Sequence, residues 1–156
     1  MAIDILALSP ISIIAIIIMI GGLIAAYVKK WMMTYALIIT NFIVFVLTLF
    51  SGDTIIQQLG FRPFFLSVEG IPYIYTLFTS MFVHSGFLHI FGNMLVFFFI
   101  GMAFEQRVGW SKFLIIYLLT GVLGSLTHSV LILGSPIPLV GASGAIFGIM
   151  GAFAYA

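Results

Sequence analysis

With 156 residues, 63% of them hydrophobic and 6% charged, the chain lies far outside the range of water-soluble domains, in which roughly half of residues are apolar and about a quarter charged. Nine charged side chains with a net charge of +1 cannot coat a sphere of this size, whereas lipid tails solvate an apolar exterior; nor do they supply a basic face for nucleic acid or an acidic one for cations. Cysteine is absent, which removes disulfides, thiolate nucleophiles and thiolate metal sites from consideration.

A helix needs about 20 apolar residues to cross the hydrocarbon core, so the gaps between charges measure the spans. Between Asp4 and Lys29 lie 24 uncharged residues, positions 5–28, which predict a first transmembrane helix. It has no basic leading segment and no obvious cleavage site, and so is expected to be retained rather than removed as a signal peptide. Another 22 uncharged residues separate Lys30 from Asp53 and predict the second span. The stretch 51–72 holds Asp53, Arg62, Pro63, Glu69 and Gly70 among several phenylalanines, a mixture suited to a loop or short amphipathic helices lying on the membrane. From Gly70 to Phe104 there are 35 uncharged residues, too many for one span; Pro72 and the polar His84-Ser85-Gly86 place the start of the third helix near His84. The 44 residues after Lys112 are all uncharged, and the turn signature Gly134-Ser135-Pro136-Ile137-Pro138 divides them into a fourth helix and a fifth of 18 residues, Leu139 to Ala156. That last helix has no flanking charge or aromatic anchor, so the chain is expected to stop inside the membrane. The whole reads as an all-α integral membrane protein, one domain over 1–156 with about five transmembrane helices.

Lys29-Lys30 and the pair Arg107 and Lys112 fall in alternate connections, and positive residues favour the cytoplasmic side. The N-terminus, the 51–72 loop and the Pro136 turn are then expected outside. This orientation accounts for four of the five basic residues and leaves Arg62 over. It also opens the third and fifth helices from the same outer face.

Polar side chains at membrane depth are costly unless buried against each other or water, so each invites a functional reading. His89 and Asn93 are four residues apart on one helical face, with His84 about a turn and a half nearer the boundary. Joining helices by hydrogen bonds would explain them equally well. Gly141-Ala142-Ser143-Gly144 opens the last helix. Gly144 and Gly148, at four-residue spacing, need only close helix packing to explain them. Ser143 is different, because its glycine neighbours expose the hydroxyl and leave backbone N–H groups, Gly141 and Ala142 among them, free to bind an anion at a helix N-terminus. A serine there becomes a nucleophile once a base takes its proton and donors stabilise the oxyanion, and His89 and Asn93 are candidate donors.

In order, His84-Ser85-Gly86-Phe87-Leu88-His89-Ile90-Phe91-Gly92-Asn93, Glu105-Gln106-Arg107-Val108-Gly109 and Gly141-Ala142-Ser143-Gly144 resemble the rhomboid intramembrane serine proteases over roughly residues 70–156. The resemblance implies Ser143 as nucleophile, His89 and Asn93 as oxyanion donors, and supporting roles for His84, Glu105 and Arg107. It also implies that helices two to five, within 31–156, are the first four of a rhomboid-like bundle, with the helix at 5–28 as an extra. Two departures stand out. The family's usual Trp-Arg before the first motif is matched by Tyr75-Thr76, and the family's general base, a histidine on a sixth core helix, has no counterpart here. The base is therefore expected on further C-terminal helices of the same protein. His128, near the outer end of the fourth helix, is the alternative within the chain.

The expected function is an intramembrane serine endopeptidase of the cell membrane that cleaves transmembrane segments of other membrane proteins near the outer face. Its expected partners are those substrates and the lipid bilayer, with no nucleic acid, no metal and no cofactor. A non-catalytic relative that binds or escorts membrane proteins is the alternative. A channel or transporter would place ionisable residues midway along several spans, and none is found there.

Overall fold

The computed structural model describes residues 7–68 and 73–155, the side chains of residues 67 and 68 excepted. The landmarks Asp4, Glu69, Gly70, Pro72 and Ala156 lie outside the described residues. The described chain is an all-α bundle. Helix α1 runs Pro10–Lys29, opened by the Ser9 side chain, which accepts from the Ser12 N–H, and by Pro10 in the first turn. Proline suits that position because its missing N–H would have had no helical acceptor. Lys30, with φ 56°, closes the helix in the left-handed conformation, and a tight turn leads into α2, Met33–Phe50. Three short helices follow, α3 Thr54–Leu59, α4 Phe64–Val68 and α5 Thr76–Thr79, and then a 3-10 turn Ser80–Phe82. Helices α6, Phe87–Val108, and α7, Trp110–Leu131, meet at Gly109, whose φ of 82° makes the reversal possible. The final helix, α8, is Ser143–Tyr155.

Helices α1, α2, α6 and α7 are each long and apolar enough to cross a membrane, and α8 is a shorter apolar helix of 13 residues. The bundle's outer surface is correspondingly apolar, with Ile17, Phe99, Leu119 and Phe147 all exposed. That is the arrangement a bilayer solvent permits and water does not.

Two boundaries differ from the sequence expectation, each for a physical reason. The third span begins at Phe87 rather than near His84, because Val83 and Gly86 are extended and break the helical run. His84 thus stands in the connection ahead of the helix, not on its face. The fifth helix begins at Ser143 rather than Leu139, because Leu139 pairs with Phe61 in an isolated antiparallel bridge and Gly141 takes a φ of 118°.

Helix α8 packs chiefly against α7 and α6, while α1 lies on α2 and α2 on α6. The α7–α8 contact is made by small residues: a Cβ added to Gly124 would lie 3.2 Å from the α-carbon of Gly144, and one on Gly148 would lie 2.1 Å from Thr120. Such close backbone approach is how apolar helices gain packing energy where lipid offers no hydrophobic contrast. At the opposite end from Ser143, Glu105 on α6 is buried and accepts from the Met33 N–H (2.7 Å), the Thr34 N–H (2.8 Å) and the Thr34 hydroxyl (2.7 Å). Met32, at the helix-capping position, offers no side-chain oxygen. The Glu105 carboxylate supplies what is missing and meets the positive end of the helix dipole.

Candidate active site

The segment that delivers Ser143 is seated by the loop between α2 and α6. Phe61 donates its N–H to the Leu139 carbonyl (3.1 Å) and accepts the Leu139 N–H in return (2.6 Å), and the Phe64 N–H bonds Ser135 O (3.0 Å). Beside this bridge, the buried Arg62 guanidinium donates to Pro136 O (2.9 Å), to Gln57 O (2.8 Å) and to the Gln57 side-chain oxygen, with its charge 5.5 Å from the Phe65 ring centre. The loop is held from below by the Tyr75 hydroxyl on Gln58 O (3.0 Å) and by the Thr79 hydroxyl on Leu59 O (2.7 Å). Arg62 is the residue that sequence reasoning missed. It was the one basic side chain unexplained by membrane orientation, and that surplus was the available signal.

Past the bridge the chain turns sharply into α8. Gly141 donates its N–H to Ser80 O (2.9 Å), and Ala142 donates its N–H to His84 Nε2 (3.4 Å). The Gly141 and Ala142 amides, expected as oxyanion donors, are thus both hydrogen-bonded within the protein. Unpaired donors begin one residue later. At an α-helix start the first N–H groups lack internal acceptors, and among the described residues those of Ser143 and Gly144 have none, the first α8 bond being Ile146 N–H to Ala142 O (3.0 Å). They carry the positive end of the helix dipole.

His84 is fully buried, and burial first, with the adjacent His89 second, lowers its pKa from 6.5 to about 4, against a smaller opposing effect of the Phe82 backbone. Neutral at ordinary pH, with Nε2 accepting from Ala142, it carries its proton on Nδ1. Its ring meets that of His89 edge to face at 5.0 Å. His89 Nδ1 lies 3.3 Å from the Ser85 hydroxyl, and its Nε2 side rests on Gly141, where a Cβ would come within 2.7 Å. Asn93 donates one Nδ2 hydrogen to the His89 carbonyl one turn back (2.8 Å), which orients the amide and leaves its second Nδ2 hydrogen as a donor.

Ser143 borders two cavities. One, about 140 Å³, is shared with Ser80, Ser125 and His128 and is lined by several hydroxyls. The other, about 270 Å³, opens between α6 and α8 and is shared with Gly92, Asn93, Val96, Phe147 and Met150. The first has room and partners for a few waters; the second is mostly apolar. The structure thus gathers Ser143, His84, His89, Asn93 and His128 at one end of the bundle. Glu105 lies 16 residues beyond His89 on the same helix, about 24 Å along its axis, with Arg107 in the last turn.

A family model described as the rhomboid domain matches residues 72–156. The chain is 43% identical over 79 residues to the rhomboid protease GluP of Bacillus subtilis (strain 168), covering 51% of this chain and 15% of that protein. It is 39% identical over 79 residues to RHOMBOID-like protein 1 of Arabidopsis thaliana (51% and 20%) and 38% identical over 79 residues to the Inactive RHOMBOID-like protein 8 of the same plant (51% and 22%). The chain region matched spans a quarter or less of the length of these curated relatives, from 15% to 22%.

Proposed function

The chain belongs to the rhomboid family, and we propose that it forms the serine-bearing part of an intramembrane endopeptidase in which Ser143 attacks the scissile carbonyl of a transmembrane substrate. The observation that carries this reading is the place of Ser143 in the first turn of α8, with unpaired backbone N–H groups and a cavity on either side. As the hydroxyl adds to the carbonyl, negative charge grows on the carbonyl oxygen. The Ser143 and Gly144 amides, with Asn93 and His89 at the rim, are the donors proposed to meet it. Such donors act before the reaction begins and in a medium of low dielectric, so each is worth far more than in water.

The apolar opening between α6 and α8 suits an extended stretch of substrate arriving from the lipid, and the hydroxyl-lined cavity suits the water that later hydrolyses the acyl-enzyme. The proton leaving Ser143 needs a base. By resemblance that is a histidine on a later core helix, with His128, which borders the Ser143 cavity, as the candidate within this chain. We further propose a cell-membrane orientation with the N-terminus and the Arg62 loop outside, and α1 as an addition to the common rhomboid core. Cysteines replacing Gln57 and Gln106 test the orientation: an impermeant thiol reagent is expected to label the first in intact cells, and labelling of the second alone would reverse it.

A non-catalytic role in binding or escorting membrane proteins has one observation in its favour, the similarity to a relative named as inactive. Reconstitution of the protein together with its later core helices and a model transmembrane substrate separates the readings. Cleavage that disappears in Ser143→Ala is expected; substrate binding with no cleavage by the unaltered protein favours the second reading.

A further inference from the structure

We propose that the end of the bundle remote from Ser143 holds one anionic phospholipid, its phosphate at Lys30 and its upper acyl chain in a furrow between α1 and α2. Two cavities meet there. One, about 470 Å³, is walled by Tyr27, Val28, Trp31, Met33 and Trp110, with Lys30 as its charged member. The other, about 320 Å³, runs along α1 and α2 past Gly21, Gly22, Ala25, Ala36 and Thr40. Trp31 lines both, so the space at the helix ends continues into an apolar groove on the bundle's flank.

Basic side chains outnumber acidic ones at this end among the described residues. Lys29 and Lys30 stand at the α1–α2 turn, and Arg107 and Lys112 at the α6–α7 turn, which the edge-to-face contact of Tyr27 with Trp110 (5.3 Å) brings alongside. The acid of this end, Glu105, is buried, with both carboxylate oxygens bonded to the start of α2. No exposed carboxylate among the described residues of these turns offsets the lysines, so the ligand that complements the pocket is an anion. A free ion would leave most of about 470 Å³ and its aromatic walls unused. A lipid uses both: indole and phenol rings sit at the glycerol level with their polar edges toward water, and a lysine near the surface favours an anionic headgroup by about fivefold.

The furrow is open because of a particular glycine. A Cβ at Gly21 would meet nothing within 4 Å, whereas one at Gly22 would strike the Thr40 hydroxyl. Gly22 serves the α1–α2 contact, and Gly21 leaves a slot that no protein group fills.

Native mass spectrometry of the purified, delipidated protein titrated with phosphatidylglycerol or phosphatidylcholine tests this. The expected result is one phosphatidylglycerol retained per chain with about fivefold preference, lost in Lys30→Gln, while Gly21→Leu lowers retention of both lipids several-fold at unchanged helical content by circular dichroism. Equal retention of the two lipids by the unaltered protein, a preference that survives Lys30→Gln, or full retention in Gly21→Leu would each overturn it. So would displacement of bound phosphatidylglycerol by inorganic phosphate, which would mean an ion site without a role for the furrow.

Discussion

The Nε2 edge of His89 occupies the space in which a side chain on Gly141 would begin, with only 2.7 Å left for a Cβ. Gly141 also takes a φ of 118°, a region closed to other residues without strain. The glycine of the GASG motif therefore does two things at once: it turns the chain into α8 and lets His89 lie over the turn. Gly141→Ala is expected to push His89 aside and to strain the backbone, destabilising the protein by about 1–3 kcal/mol. Labelling of Ser143 by a fluorophosphonate should slow by at least tenfold, as expected when one oxyanion donor is displaced. A variant that melts and labels like the unaltered protein would show that the contact is dispensable.

His84 gives the site a defined pH dependence. Its pKa is lowered from 6.5 to about 4 in the folded protein, so between these values the unfolded chain binds a proton that the folded chain does not. Stability is full above about pH 6.5 and falls as the pH drops toward 4, by roughly 3 kcal/mol in total. Protonation also removes the acceptor for the Ala142 N–H. Melting temperatures in detergent from pH 7 to pH 4 should fall more steeply for the unaltered protein than for His84→Gln; parallel curves would contradict the assignment.

Glu105→Ala would leave the Met33 and Thr34 N–H groups buried without acceptors, a loss of about 2–4 kcal/mol from two unsatisfied donors. Glu105→Gln keeps one acceptor oxygen and should recover part of it. Thermal melts of the two variants, compared with Thr34→Val, show whether the carboxylate or the Thr34 hydroxyl carries more of the cap. Equal stability of Glu105→Ala and the unaltered protein would remove the cap from the account.

Arg62→Ala is expected to release the 132–142 segment, since the guanidinium spans Gln57 on one side and Pro136 on the other. Hydrogen exchange at the Leu139 amide, protected by Phe61 O, should accelerate by about tenfold or more, corresponding to loss of roughly 1.5–3 kcal/mol from a charge-assisted bond. Protection that persists would assign the seating of this segment to the Phe61 bridge alone.

Much of the bundle was legible from the sequence because charge is so scarce: Lys29, Lys30, Asp53, Arg107 and Lys112 all lie at or near the end of a span. The glycine spacing that pointed to a packed last helix is seen in the contact of Gly148 with Thr120. What escaped were features made by distant segments meeting. No local pattern in Phe61 or Leu139 announces a two-residue bridge 78 positions long in sequence, and that bridge is what delays α8 to Ser143. The hydrogen-bonded amides of Gly141 and Ala142 escaped for the same reason, since their acceptors, Ser80 and His84, come from a distant connection, of which His84 was expected at the start of the third helix. The resemblance gave Glu105 only a supporting role; which partner it supports, the start of a helix 71 residues earlier at Thr34, had no local signal.

The central claim is that Ser143, rather than any other hydroxyl of the bundle, is the activated nucleophile. Fluorophosphonate labelling of the protein in its native membrane, with the modified residue located by mass spectrometry, tests it without knowledge of the substrate. The account predicts a single adduct on Ser143, absent from Ser143→Ala and slowed in Asn93→Ala by up to about 10² to 10³, the range for losing one oxyanion donor. An adduct on a different residue, or undiminished labelling of Ser143→Ala, would contradict it.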